Sequence, residues 1–399
     1  MVTAGGRLEP GDKGYRAESF NPAIHDSPVG KEVTKDFAES KGLRTDKRNV
    51  VLPVTVQNKE GKEYIQTYNR GGKPAGPLKE AGSTEKQGTY IRFYPDPNGD
   101  REKDGKRYKK IYKLNERYAY LKKNHPKYLF HSDQLDLELQ GVRNEDIKKI
   151  YTPRDYLKEL RAKTNLSRIE KSSVELCDLF ITEGNLKEGD IGITGSPMVG
   201  LNKELSDIDL IIYGTKTSLE FQNSLADILK EGDYCREYNM QEYQVHYEWR
   251  VGGSDIPFDK FYECERRKLH QGMYKGFEFF IRYIKSPEDW KGSHYDYKYK
   301  NLGKIKIKAR ILDSTESIFT PCSYKINSLK VLECDSNLEN LKKEAIQEVN
   351  SYRGRFCEHA EDGEEVFIVG KLEKVVYRES EEYFRILLSN QAEDKMMKI

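Results

Sequence analysis

The chain has 399 residues, too many for one ordinary domain. Lys and Arg number 68 against 66 Asp and Glu, so the net charge is only +2; this excludes a globally basic, histone-like nucleic-acid binder but not a local basic groove. An aromatic content of 11% excludes a largely disordered chain, no run approaches the roughly 20 apolar residues of a membrane span, and Met1 to Gly6 lacks the apolar stretch of a signal peptide, so a cytoplasmic protein is expected.

Residues 1–48 are rich in Gly, Pro, Asp and Lys and read as irregular. Strands are expected at 49–57 and 63–68, with Asn58 to Lys62 as their turn. A third is expected at 89–94, ended by Pro95 to Gly99. Residues 101–128 carry eleven Lys or Arg against Glu102, Asp104 and Glu116, a local charge of +8, with Tyr108, Tyr112, Tyr118, Tyr120 and Tyr128 interleaved. This block reads either as a solvated connector or as a track for a nucleic-acid backbone with tyrosines stacking bases. A helix is expected over 114–124.

Residues 153–184 read as one helix, with Leu157, Leu160, Ile169, Val174, Leu176 and Leu179 near helical spacing and Gly184-Asn185 as the stop. A short strand at 191–194, a loop, a strand at 208–213 and a helix at 216–231 follow. Strands are expected at 243–250, with His246 as a packed strand residue, and at 277–284. From 302 onward short strands dominate, at 303–312, 324–333, 349–356, 364–377 and 382–388, with a helix at 337–347; this suggests a small barrel or sandwich. In 304–310, Lys304, Lys306, Lys308 and Arg310 alternate with Ile305, Ile307 and Ala309, giving one basic face. That face is either solvated or a surface for an RNA or DNA acceptor. The six cysteines are scattered without a Cys-x-x-Cys pair, which argues against a zinc knuckle or a disulfide framework. Tyr352 to Phe356 with Cys357, Glu358 and His359 reads as a strand end, because no second Cys/His pair has ligand spacing.

The stretch that carries chemistry is 191–214. Asp207 and Asp209 stand two apart at the start of an apolar strand, so both carboxylates point to one face. Adjacent carboxylates repel unless a cation lies between them, and hard Mg²⁺ takes oxygen ligands while leaving positions for substrate phosphates. Gly195 lets a phosphate approach the backbone, and the Ser196 hydroxyl can donate to it. The apolar run Leu210-Ile211-Ile212 holds the acids on a rigid element.

This pattern, an apolar strand, Gly195-Ser196, the ten residues Pro197 to Ser206, then Asp207-x-Asp209, resembles the nucleotidyltransferase superfamily of DNA polymerase beta. The resemblance implies that Gly195 and Ser196 hold a nucleoside triphosphate and that Asp207 and Asp209 hold Mg²⁺ or Mn²⁺. It also implies a third carboxylate on a later strand, 276–284, where Phe280 stands at the matching position. Glu278, two residues earlier on the same face, reads either as its replacement or as a solvated edge residue; Asp255 and Asp259 are further candidates. Over about 91–399 the chain also resembles archaeal nucleotidyltransferase-domain proteins, through Asp96 to Arg101, Gly105 to Lys110, Glu138 to Val142, Glu316 to Cys322 and Tyr352 to Cys357. Residues 62–97, through Tyr68 to Pro74, Gly82 to Thr89 and Phe93 to Pro97, resemble a fragment of the DNA gyrase B subunit. The helix that bears that family's catalytic residues is missing, so no ATPase residue carries over.

The expected architecture is therefore α+β. An N-terminal extension (1–90) and a basic Tyr/Lys-rich linker (91–150) precede a nucleotidyltransferase domain (151–300) and a β-rich, barrel-like domain (301–399). The expected activity is Mg²⁺-dependent transfer of a nucleoside monophosphate from an NTP to a hydroxyl on an RNA end, a protein or a small molecule. The alternative is a non-catalytic nucleotide- or nucleic-acid-binding protein of the same fold.

Overall fold

The computed structural model describes residues 50–57, 63–69, 79–80, 86–88, 90–143, 146–232, 234–251, 253–292, 296–335, 342–390 and 392–399. The chain divides into two compact units, residues 1–90 with 140–148, and residues 91–139 with 149–399. In the first, β1 (Val50–Gln57), β2 (Glu63–Asn69) and β3 (Lys79–Glu80) form an antiparallel sheet in that order. Strand β4 (Lys86–Gly88) pairs with residues 141–143. Most of the gyrase-like signature, 70–78 and 81–85, lies outside the described residues.

The second unit opens with a three-stranded antiparallel sheet of β5 (Phe93–Pro95), β6 (Arg101–Lys103) and β7 (Lys106–Lys110), with β7 in the middle. Asp104 and Gly105, both at positive φ, make the two-residue turn that joins β6 to β7. Among the described residues the strand expected at 89–94 is 93–95, and the first part of the basic block, 101–110, forms this hairpin. Helix α1 (Leu114–Asn124) follows as expected. Next come β8 (Leu129–Ser132) and β9 (Leu137–Arg143), of which residues 140–143 belong to the first unit.

The expected helix over 153–184 is two helices, α2 (Pro153–Ala162) and α3 (Arg168–Thr182). The break is written in side-chain chemistry. The Ser167 hydroxyl accepts from Glu170 N while the Glu170 carboxylate accepts from Ser167 N, a reciprocal cap that starts a new helix. Then follow β10 (Ile191–Thr194), the single turn α4 (Gly195–Met198), β11 (Ile208–Tyr213), α5 (Thr215–Glu231) and β12 (Cys235–Arg236).

Residues 243–250, expected as a strand, belong to helix α6 (Met240–Val251). Tyr243, Val245, Tyr247 and Trp249 alternate in the sequence, but the buried side chains are Tyr243, His246, Arg250 and Val251, which is helical spacing. Asn239 starts this helix: its Oδ1 accepts from Glu242 N and its own N–H donates to the Glu242 carboxylate. Helix α7 (Phe258–Glu265), β13 (Gln271–Tyr274) and β14 (Phe277–Ile284) complete a five-stranded mixed sheet ordered β10-β11-β14-β13-β12. Its central pair β11/β14 is parallel. One face carries Ile208, Leu210, Ile212, Phe277, Phe279, Ile281 and Tyr283, and packs with Leu157, Leu176, Phe180, Phe221 and Leu225 of the helices into one core. The opposite face carries Asp207, Asp209, Glu278, Phe280 and Arg282, since alternate residues of a strand point to opposite sides.

The C-terminal sheet contains β15 (Tyr297–Asp313), β16 (Cys322–Cys334), β17 (Ile346–Ser351), β18 (Glu365–Tyr377), β19 (Glu381–Leu387) and β20 (Lys395–Lys398). Pairing runs β15-β16-β17-β19-β18, and β18 pairs back along β15. Ile305, Ile307, Tyr324, Val349, Ile368, Leu372 and Ile386 fill its interior. Instead of a helix over 337–347, the described part of that segment is a turn at Lys343–Ala345 followed by β17. Strand β17 stops at Ser351, so residues 352–356 of the expected strand 349–356 leave the sheet, with a turn at Gly354–Phe356.

The fold is mixed α+β, and among the described residues no helix is long and apolar enough to cross a membrane.

Candidate functional site

Thr194 ends β10 directly opposite Asp209 on β11, so the chain turns into Gly195-Ser196 beside that carboxylate. Gly195 has φ +78°, and a Cβ there would lie 2.2 Å from Asp209 Oδ2. Only glycine fits, for reasons of both space and backbone. Gly195→Ala should therefore displace Asp209 and strain the turn, at a cost of about 1–3 kcal/mol in urea unfolding. A variant as stable as the parent would show that Asp209 is not held against this turn.

Ser196 is buried, and its hydroxyl finds no hydrogen-bond partner among the described residues. A buried, unpaired hydroxyl is costly and is a natural donor to a ligand oxygen. The loop beyond it is tightly made: Leu201 N donates to Ser196 O at 3.0 Å, and Lys203 N donates to Ser206 Oγ at 2.8 Å.

Asp207 is exposed and Asp209 half-buried, on the same face. Burial first, and then the charge of Asp207, pushes the Asp209 carboxyl up to about 6, against the pull of Arg282, Arg92 and Lys110. The register Asp209↔Phe280 places Glu278 one step along β14, level with Asp207. Burial and then Asp207 raise Glu278 as well. The charge of Asp207 thus acts on both Asp209 and Glu278. Among the described residues no three of His, Cys, Asp and Glu form a group of metal-binding geometry; Asp207 and Asp209 stand as a pair. The chemistry of that pair fits a hard divalent cation: like charges that repel, oxygen donors only, and an unsatisfied hydroxyl alongside.

Phe280 stands where the third carboxylate was expected. Its ring packs edge-on to His270 at 4.9 Å between centroids, with the Arg250 and Arg282 guanidinium carbons 5.7 and 5.4 Å from its centroid. Asp255 and Asp259 are not at this sheet: Asp255 is exposed and ion-paired to Lys395, and Asp259 is exposed in the first turn of α7.

The residues that sequence reasoning left out of the site come from the basic block. Arg101 Nη1 donates to Leu201 O at 2.5 Å, Lys103 Nζ donates to Val199 O at 2.9 Å, and Lys203 pairs with Asp100. The β6/β7 hairpin is thereby fastened to the loop that follows Ser196, and Arg92 and Lys110 act on Asp209. The signal available in the sequence was Asp104-Gly105, a hairpin turn between two basic runs.

Other candidates resolve differently. His246 lies on α6, 3.3 Å from the fully buried Glu265, as part of a structural network. Lys304, Lys306 and Arg310 of the basic strand face pair with Glu393, Glu333 and Glu365, which removes much of that strand's charge. Glu358 turns inward, 3.0 Å from His270 Nδ1, and accepts from Gln222 at 2.6 Å. His359 meets Met396 O at 2.7 Å, so these neighbours do not converge on one ion. Burial pushes the His359 imidazole down to about 3, against an ordinary value near 6.5. The folded protein then binds fewer protons than the unfolded chain, and stability should fall as pH drops from about 6.5 toward 3, by at most roughly 1.4 kcal/mol per pH unit. Urea midpoints taken across that window for the parent and for His359→Gln test this. Identical slopes would show that His359 does not contribute.

No family model matches the chain, and no solved structure matches it. An uncharacterized protein of Methanocaldococcus jannaschii is similar to it, 26% identical over 304 residues that span 76% of this chain and 86% of the other.

Proposed function

We propose that the protein is a nucleotidyltransferase that moves a nucleoside monophosphate from an NTP to a hydroxyl acceptor. The observation that carries this reading is the closed contact between Gly195 and Asp209, with the unpaired Ser196 hydroxyl beside two carboxylates on one strand face. The β10–turn–β11/β14 arrangement supports the nucleotidyltransferase core inferred from the motif, and the closed pairing circuit of β15–β19 supports the barrel-like C-terminal domain.

Asp207 and Asp209 would hold Mg²⁺ or Mn²⁺, which when bound stabilises charge on the attacking and leaving oxygens of an in-line displacement. The Ser196 hydroxyl donates to a phosphate oxygen. Arg92 and Lys110 offset triphosphate charge. The acceptor oxygen forms a bond to the α-phosphorus, the bond to the β-phosphate oxygen breaks, and pyrophosphate leaves with the electron pair. Glu278, its carboxyl raised by burial, takes the acceptor proton.

Glu278→Gln should keep NTP binding and lose about 10²–10⁴ in turnover, the range for a general base. Full turnover would remove Glu278 from this role. A second reading, nucleotide binding without transfer, is favoured by Phe280 opposite Asp209, since an apolar ring there offers no base. Incubation with labelled NTPs, Mg²⁺ or Mn²⁺ and total RNA separates the two: bound but untransferred nucleotide would favour the second.

A further inference from the structure

We propose that the acceptor is a single-stranded polynucleotide, held along the exposed basic strand β7 and its continuation through Tyr112 into α1. This rests on the nucleotidyl-transfer reading above. Lys106, Arg107 and Lys109 are exposed, and among the described residues none has a carboxylate partner. The C-terminal basic strand, with Lys304, Lys306 and Arg310 all ion-paired, is the contrasting case. Glu102 stands across from Arg107, yet the hairpin 101–110 carries six Lys or Arg against only Glu102 and Asp104, so net positive charge remains where a phosphate backbone would be attracted.

Tyr112 is 57% exposed, and Lys110 Nζ lies 4.9 Å from its ring centroid. The ammonium lies over the ring, so a cation for a phosphate and an aromatic surface for a base are combined at one place. The platform is preorganised. Arg117 donates from Nε to Ile111 O at 3.2 Å and from Nη2 to Tyr112 O at 3.0 Å, which fixes the turn that presents Tyr112. Tyr94 of β5 and Tyr120 of α1, 4.3 Å apart, hold helix to sheet. Through Arg101 and Lys103 the same hairpin is fastened to the loop after Ser196, which anchors the chain leading to Tyr112 beside that loop. Stacking on a tyrosine needs an unpaired base face, which a duplex hides.

The test is fluorescence anisotropy with labelled RNA of about 12 nucleotides, the same DNA and the RNA duplex, from about 50 to about 200 mM salt. Single strands should bind more tightly than the duplex, with affinity falling as salt rises. Arg107→Ala/Lys109→Ala should lower the log–log salt slope by about 0.7 for each lost phosphate contact. Tyr112→Ala should weaken binding about tenfold and Tyr112→Trp should restore it, as for stacking on a ring face. The RNA and DNA arms identify the sugar. Equal single-strand and duplex affinity, a salt-independent signal, or unchanged binding by these variants would overturn the inference, as would nucleotide label appearing on protein. Asp207→Ala/Asp209→Ala should bind the strand like the parent yet transfer no nucleotide. If the parent transfers nucleotide but binds no strand, the acceptor inference fails alone. If the acid variant transfers like the parent, the transfer site itself is misplaced.

Discussion

Asp207→Ala/Asp209→Ala is expected to reduce nucleotide transfer to background, at least a hundredfold, because a cation-assisted displacement loses several kcal/mol without its ligands. Labelled NTP, Mg²⁺ or Mn²⁺ and total RNA provide the assay. The same variant should be no less stable than the parent. Asp209 is half-buried beside a like charge, and its carboxyl sits high, so the folded state bears a penalty for ionising it. An inactive protein of undiminished stability is the pattern of a pair kept for a ligand. A less stable protein would point to a structural role, and equal transfer by variant and parent would end the catalytic proposal.

Glu265→Ala should cost about 3–5 kcal/mol of folding stability, read by urea unfolding, because it leaves buried cations without their anion. Glu265 is fully buried; its carboxylate lies 2.7 Å from Lys268 Nζ, 3.5 Å from Arg250 Nε and 3.0 Å from Gln271 Nε2. Burial alone would raise its pKa, yet Lys268 above all, then His246 and Arg250, hold it well below the ordinary carboxylate range. Its contribution is therefore present above about pH 4.5 and lost as pH falls through the folded-state value. Lys268 also donates to Arg355 O at 2.5 Å, tying α7's end to the C-terminal sheet region. Glu265→Leu/Lys268→Met should lose less than the sum of the single variants, since both charges go together. A loss below about 1 kcal/mol for Glu265→Ala would mean that water reaches the network.

Much of this was legible locally. The strand 208–213, the helix 114–124 and the strand 277–284 lie where periodicity and stop residues place them. Two misreadings had local signals that hydrophobic pattern overrode. Ser167-x-x-Glu170 and Asn239-x-x-Glu242 are both helix-start signatures, and both act as caps in the fold. The aromatic alternation in 243–250 suggested a strand because chemistry alternates there while burial does not.

By itself the sequence determined the pairing of Asp207 with Asp209 on one strand face and the placing of Gly195-Ser196 just before them. Those are relations between neighbours, governed by strand parity and by what a glycine permits. Only the tertiary structure decided that the basic hairpin at 101–110 meets the loop after Ser196, that Lys304, Lys306 and Arg310 are ion-paired, and that Phe280 faces Asp209. Each depends on contacts between residues distant in the chain. There, burial and charge compensation are set by which surfaces pack together, and local pattern carries no record of that choice.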